Sequence, residues 1–583
     1  MNKESAPKLP GTGAAVWFLL GVVAGGAALW HLTVLTAFWV SGQEAPGLAE
    51  TLAAFLRSPI HPAAGYDSLP VPAAVLYTFF GLVFVILVVA GAYLLAAVTM
   101  RSRARKSGWT LESDVEGIQR KKAIATARGI GAPEAMSDDD AIVFLGHMGT
   151  KPVYGQHEDS HIAIAPARSG KTTGLVVNWI LDAPGACVAT STKAEIVYLT
   201  AALRQKKTDS TVAVFDPKQV SGWPDQIRWN PVRGCENLEE AMSRGKALAG
   251  GNRKGESSGN IAFFDDSGAM LLGFWLHAAA MKPGGSMRDV MNWASDFDDK
   301  EPLKWLNESQ DALEVGWPDR LKGMTNTKAD QTTGSLKMTI LRSLSALNNP
   351  RVLALLCPPD EETAWDVDRF IESNDTLYIL TEPGDETLTP ILTMLTDFIM
   401  RRAQKVSQMK SGYRLWPPIR FVLDEVTNIA PLPTLPSIVS DSGGRGVTVM
   451  MVVQGRAQLR ERWGREGAET ILHNASVEYY LPGIKDAELT KELSQRTTEY
   501  RAERMSVSSG GGSGSNTVST EWDHALHAEQ ITELAVGTAL VFYRNQKFMV
   551  LTLTPFYKRK DAHEIEAGIE TFERKTGRKA EAA

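Results

Sequence analysis

The sequence predicts an α/β protein. A largely parallel sheet covered by helices is interrupted by a mainly helical insertion and preceded by a two-helix transmembrane anchor. Three observations predict this. Short β-rich apolar runs alternate with helical patterns over residues 141–235 and 367–557, the pattern of strands buried beneath helices on both faces. Residues 236–366 between them lack such runs and show helical blocks instead. Near the start, residues 14–40 and 71–100 are two nearly unbroken apolar stretches, each long enough to cross a hydrocarbon core of roughly 30 Å.

Residues 1–106 are accordingly expected to be a membrane anchor with spans at 14–40 and 71–100. The first is too long for the apolar core of a cleaved leader, so it is expected to remain. Lys3 and Lys8 precede it, and Arg101, Arg103, Arg105 and Lys106 follow the second span, whereas the intervening loop carries only Arg57 as a positive residue. The positive-inside bias then places both termini in the cytoplasm, in a multi-pass membrane protein. Gly21 and Gly25 form a GxxxG, which suits either a helix-packing contact or ordinary glycine use in a membrane helix.

Residues 107–140 read as a linker, rich in Gly, Ala, Pro and Asp toward its end. Strands are expected at 161–165, 185–189, 211–215, 376–380, 419–423 and 447–453, with a helix at 390–407. Within the insertion the helical blocks are 237–248, 269–281 and 335–347. The Ser/Gly stretch 506–519 reads as a flexible surface loop or a segment that orders on a partner. Residues 539–543 and 547–553 flank Arg544-Asn545-Gln546 as a closing hairpin, and 558–583 read as a charged, loose helix or tail.

Composition limits what such a chain can be. With 583 residues, 44% hydrophobic and 22% charged, it holds material for two to four folded units, which excludes both a single small module and bulk disorder. Cys187, Cys235 and Cys357 are far apart, which excludes a disulfide framework or a cysteine-rich zinc site. A net charge of -6 excludes a uniformly basic nucleic-acid coat and leaves room only for local contacts. His524 and His527 lack ligand-spaced companions and read as surface residues.

The chemistry concentrates in Ala165-Pro166-Ala167-Arg168-Ser169-Gly170-Lys171-Thr172-Thr173, placed between an expected strand and an expected helix, which makes the sheet a P-loop nucleotide-binding domain with Ala where the first Gly normally stands. Small residues let successive backbone N–H groups turn inward around phosphate oxygens at the positive end of the following helix. Lys171 can then reach the β and γ phosphates of ATP, and Thr172 can offer its hydroxyl to Mg2+. The strand 419–423 ends in Asp424-Glu425: Asp424 suits the Mg2+ shell, and Glu425 suits polarisation of the attacking water. Gln454, ending the strand 447–453, is either a γ-phosphate sensor or a strand-end polar residue. Arg445, in Gly443-Gly444-Arg445-Gly446, is either a finger for a neighbouring subunit's site or a surface arginine. Arg253, Lys254 and Arg342 fit solvated surfaces as well as nucleic-acid contacts, and none is assigned to DNA.

Two N-terminal spans, APARSGKT, a helical insertion, FVLDEV and GGRGVTVMMVVQGRAQL, with Asp216-Pro217, Trp229-Asn230-Pro231 and the terminal LVFYRNQKFMVLTLTPFY, resemble the coupling proteins of type IV secretion systems, the TraG/TraD-type conjugative DNA transfer ATPases. The resemblance implies a RecA-like ATPase domain that forms a hexameric ring, with an all-α domain facing the cytoplasm. It also implies ATP and Mg2+ as cofactors, and delivery of DNA, as a relaxase nucleoprotein, or of protein effectors to secretion channel components. Ala165 at the start of the loop, the Gly/Ser stretch at 509–515 and the short tail depart from the usual pattern, and the last two leave the cargo open. Two rivals share these features. One is an FtsK-like double-stranded DNA translocase, and the other is a non-translocating receptor switched by nucleotide.

Overall fold

In the computed structural model, residues 12–58, 61–106, 108–208, 210–252, 255, 259–325, 330–360, 362–508 and 515–577 are described. The chain divides into two compact units, residues 1–107 and 108–583.

In the first unit, the helices Thr12–Val40 and Ala73–Lys106 are joined by the short helix Leu48–Arg57. Trp30, Val34 and Phe38 of the first pack with Leu76 of the second, and the Trp30 and Tyr77 rings stack at 5.3 Å. Among the described residues one helical segment, Ala73–Gly91, is long and apolar enough to cross a membrane, and the apolar segment Gly25–Val40 is shorter than a span. Two expected spans thus become one qualifying segment, because the side chains of 12–24, which would complete the first, lie outside the described residues. The surroundings of Gly21 lie outside them too. Gly25 faces open space, and it is Gly26 that approaches the Phe84 ring.

The second unit is organised by strands β1 (Val143–Met148), β2 (Lys151–Gly155), β3 (His161–Ile164), β4 (Cys187–Ser191), β5 (Val212–Phe215), β6 (Thr376–Leu380), β7 (Ile419–Leu423), β8 (Val447–Val453), β9 (Val477–Tyr480), β10 (Glu499–Ser508), β11 (Ser515–His524), β12 (Thr538–Tyr543) and β13 (Met549–Thr552). Eleven of them form one mixed sheet in the order β2-β1-β13-β12-β9-β3-β8-β7-β4-β6-β5. The seven from β9 to β5 are parallel, and the remaining four add on antiparallel beside β9. Patterning explains the division. Every residue of β3, β4, β6, β7 and β8 is buried, as strands covered on both faces require, whereas β2 and β13 mix buried with partly or fully exposed positions.

The six expected strands of the parallel core are all present, within two residues of the expected positions. Between β5 and β6 the chain is helical, from Leu238–Gly250 to Pro350–Leu356, and these helices share one continuous core with the adjoining face of the sheet. Asn237 caps the first of them, its side chain accepting from the Glu240 amide at 3.1 Å.

Two expectations are corrected and a third is resolved. The linker 107–140 contains the helix Arg120–Gly129, whose Ala123 and Ala127 are buried with Ile142, while Val115 and Ile118 enter the core beneath the sheet. Small alanines at helical spacing allow that close packing, and composition alone read them as a spacer. Of the two readings of 558–583, the helix is the one that forms: Ala562–Thr576 buries Ile565 and Phe572 against the helix Glu195–Thr208 and its surroundings. Of the Ser/Gly stretch, Ser506–Ser508 and Ser515–Ser519 belong to the ten-pair β10–β11 ladder, and 509–514 lie outside the described residues. Backbone pairing over the whole ladder, including Tyr500 with Asp523 and Arg501 with Trp522, overrides the loop-like composition near the tip.

Candidate nucleotide site

β3 lies between β9 and β8, and the chain leaves its carboxyl end as the loop 165–171. The Ala165 amide still donates to the Val453 carbonyl of β8 at 2.8 Å, so the loop begins as an extension of the sheet. Arg168 (φ 63°) and Gly170 (φ 85°) then adopt left-handed backbone, which curls the chain into a concave run of amides, an anion nest. The nest opens onto a π-helical turn, Thr172–Val176, that continues as the helix Val177–Leu181. Gly174 closes the first turn, its amide donating to the Gly170 carbonyl at 2.9 Å, and the Thr173 hydroxyl donates to the same carbonyl at 3.1 Å. Ser169 is buried and its Oγ has no hydrogen-bond partner among the described residues, which leaves a polar atom at the loop for a phosphate oxygen.

β7 and β8 are neighbours in the sheet, so their carboxyl ends fall beside this loop. Asp424 is buried, and its backbone carbonyl accepts from Thr190 Oγ1 of β4 at 2.9 Å. Glu425 has φ 50° and ψ 44°, a conformation costing a non-glycine residue about 1–2 kcal/mol, and its carbonyl accepts from the amides of Asn428 and Ile429 at 2.8 and 3.0 Å. That left-handed residue ends the strand and starts a helical turn, and it turns two consecutive carboxylates toward one ammonium. Lys171 Nζ lies 3.0 Å from Asp424 Oδ1 and 3.2 Å from Glu425 Oε1. Burial works to lower the Lys171 pKa, but the two carboxylates outweigh it and hold the ammonium above its ordinary value. Burial pushes the Asp424 carboxyl up, with Lys171 acting against it. One cation thus serves two acids.

This donor set fits a nucleotide phosphate with a divalent cation. The loop amides, Ser169 and Lys171 suit phosphate oxygens, while Thr172 and Asp424 suit the cation, which characteristically shares its shell between a carboxylate and substrate phosphates. Gln454 follows β8 between the loop strand and the acid strand, exposed at the same edge, and its amide donates to Gln458 Oε1 at 3.0 Å. Gln458 also accepts from Thr427 Oγ1 at 3.4 Å. Thr190 and Gln458, which tie the acid strand and the strand end to their neighbours, were invisible in the sequence, because only strand adjacency brings them here.

Arg445 is elsewhere. It lies in the turn Gly443–Arg445 before β8, at the opposite end of the sheet from the loop, and β8's seven residues separate the two edges by roughly 20 Å. Its Nε pairs with Asp441 at 2.7 Å. Within one chain it is not part of the site.

Residues 111–579 match the family described as Type IV secretory system Conjugative DNA transfer. The chain belongs to this family. It is 25% identical over 418 residues to the conjugal transfer protein TraG of Escherichia coli, an alignment covering 66% of this chain and 61% of that one. The chain thus spans less than two thirds of that relative's length. In fold it is similar to the bacterial conjugative coupling protein TrwB lacking its first 70 residues, in complex with sulphate. There the TM-score is 0.53 at 14% identity, over 75% of this chain and 92% of that one. The same protein in complex with ADP and Mg2+ aligns with TM-score 0.50 at 14% identity, over 68% of this chain and 85% of that one.

Motifs that carry the family resemblance turn out to shape the fold. Asp216 is buried and organises the loop after β5, accepting from the Val220 and Ser221 amides and the Ser221 hydroxyl at 2.7–2.8 Å. Trp229-Asn230-Pro231 fastens the helical region to the sheet. The Trp229 amide donates to the Leu355 carbonyl at 2.8 Å, its ring stacks on Phe398, and the Pro231 carbonyl accepts from the buried Arg244 at 2.7 Å.

Proposed function

We propose that this chain is a membrane-anchored ATPase that couples ATP hydrolysis to delivery of DNA, carried as a relaxase nucleoprotein, or of protein cargo to a type IV secretion channel. Its cofactors are ATP and Mg2+, it works as a homo-oligomeric ring, and a two-span anchor with cytoplasmic termini holds it in the bacterial inner membrane. The observation that carries this reading is Lys171 bridging Asp424 and Glu425 beneath the nest 165–171. Family membership and TrwB's complex with ADP and Mg2+ support it.

Mg2+-ATP would supply the phosphoryl bond to be broken and an electrophilic γ-phosphorus. Lys171 transfers its hydrogen bonds from the carboxylates to phosphate oxygens, so the charge that neutralised two acids comes to neutralise the nucleotide. Asp424 and Thr172 hold the cation. Glu425, released from Lys171, accepts a hydrogen bond from water and orients it. Gln454 senses the γ-phosphate and passes its state into the helix Arg456–Asn474 through Gln458. Arg445 completes a neighbouring subunit's site.

The test is ATP turnover by the full-length protein in nanodiscs, with and without single- and double-stranded DNA. DNA-stimulated turnover abolished by Lys171→Ala and Glu425→Gln is the expected result. Lys171-dependent turnover indifferent to DNA would replace the motor with a nucleotide-switched receptor.

A further inference from the structure

Two segments border the phosphate loop that the reading above leaves without a task. The first is the turn 535–538, closed by the Thr538 amide on the Ala535 carbonyl at 3.0 Å, with Gly537 at φ 87°. Val536 occupies its apex and is 75% exposed, where a polar residue is the usual choice. A Cβ built on Gly170 of the phosphate loop would lie 4.0 Å from Val536 Cγ1. The turn is fixed by the Leu553 amide donating to the Gly537 carbonyl at 2.8 Å.

The second is 554–559, which follows β13 and is fastened at both ends to the helix behind the loop. Asn178 Nδ2 donates to the Thr554 carbonyl at 2.7 Å, and Arg559 donates to Asn178 Oδ1 at 3.2 Å and to both Asp182 oxygens at 2.8 and 3.0 Å. Between these ties the short helical turn Phe556–Lys558 packs against the turn Thr172–Val176. Phe556 packs on the cluster of Val177 and Leu181, and its ring meets Tyr557 edge-on at 5.5 Å. Tyr557 itself is 58% exposed. A rigidly held segment presents an aromatic ring to solvent on one side of the phosphate loop, and an apolar turn apex is held against the loop's Gly170.

We propose that Tyr557 and Val536 form the nucleoside subsite of this chain, Tyr557 stacking on the base and Val536 covering its apolar surface. The inference rests on the nucleotide reading above and adds to it the part of the ligand that the loop does not touch. Apolar and aromatic walls recognise a heterocycle without reading its edge.

The experiment measures, by calorimetry on the full-length protein in nanodiscs, binding of a non-hydrolysable ATP analogue and of inorganic tripolyphosphate, each with Mg2+. Tyr557→Ala is expected to weaken the analogue about ten-fold, within the range for losing a base–aromatic stack, and to leave tripolyphosphate unchanged. Tyr557→Phe is expected to restore the analogue, and Val536→Ser to weaken it alone. Equal binding of the analogue by wild type and Tyr557→Ala overturns the proposal. So does a parallel loss of tripolyphosphate, which would make the segment a brace for the loop. Wild-type protein that binds neither ligand would overturn the nucleotide reading itself, a result distinct from the other two.

Discussion

At the scale of single residues, buried ionisable groups set the behaviour of this molecule. Lys171 is shared by two acids, so its replacement acts on both binding and charge. Lys171→Ala is expected to abolish nucleotide binding by calorimetry, whereas Glu425→Gln is expected to keep binding and lower turnover by at least 10²-fold, about what loss of a positioned general base removes. At the other edge of the sheet, His157 and His161 are fully buried, and burial, with the nearby Arg420 charge, lowers each pKa to about 3. His157 Nε2 lies 2.8 Å from the Asp140 carbonyl, while His161 stacks on Tyr479 and meets Trp179 edge-on, with no hydrogen-bond partner among the described residues. Their folded pKa values lie below the unfolded value of 6.5, so the unfolded chain gains protons first and stability falls as pH drops from 6.5 toward 3. At pH 5 the loss is about 2 kcal/mol per histidine. His161→Phe, which keeps the ring stack, is expected to remove about that much of the acid sensitivity in thermal melts at pH 7.5 and pH 5. Equal acid sensitivity in wild type and variant would show that His161 is not held neutral.

At the scale of elements, the turn before β8 shows how packing constrains a glycine-rich stretch. A Cβ on Gly443 would sit 2.0 Å from the Glu158 carbonyl oxygen, and one on Gly446, at φ 73°, would sit 2.4 Å from that of Leu415. Gly444 faces open space with ordinary backbone. Gly446→Ala is therefore expected to cost more than about 1–2 kcal/mol, the left-handed penalty alone, while Gly444→Ala stays within about 0.5 kcal/mol. Denaturant melts of the two variants separate a packed turn, which orders them so, from a mobile one, which leaves them equal. The composition Gly-Gly-Arg-Gly was legible as a turn, but the carbonyls that fill the space beside it come from residues hundreds of positions and tens of positions away.

At the scale of the whole molecule, the sheet sets two distances that determine how the site can work. It places Lys171, Asp424, Glu425 and Gln454 on one edge and Arg445 on the other, so Arg445 can serve a nucleotide only across a subunit boundary. Arg445→Ala is expected to leave nucleotide affinity unchanged and to lower turnover about 10³-fold. Mixing Arg445→Ala with Lys171→Ala subunits is expected to restore part of the turnover, because interfaces that join the intact lysine to the intact arginine rebuild complete sites. Full turnover by Arg445→Ala alone would return that residue to the ordinary surface.

The sequence by itself determined six of the seven strands of the parallel core, the loop 165–171 and the acid pair, because each is a local pattern: a buried strand is a run of apolar β-formers, and the loop and acids sit at the ends of such runs. Tertiary structure alone decided the rest. β9 is four residues long and contains Glu478, which pairs with Arg496 at 2.5 Å, so nothing local marks it as a strand of the parallel core. The apparent linker and tail owe their order to buried alanines and to Phe572, whose partners are distant in the chain. Thr190 and Gln458 reach the loop and the acid strand through strand order, and the segments carrying Val536 and Tyr557 come beside them through tertiary ties such as Asn178 and Arg559, since adjacency in a sheet is a relation between segments that no single window of sequence contains.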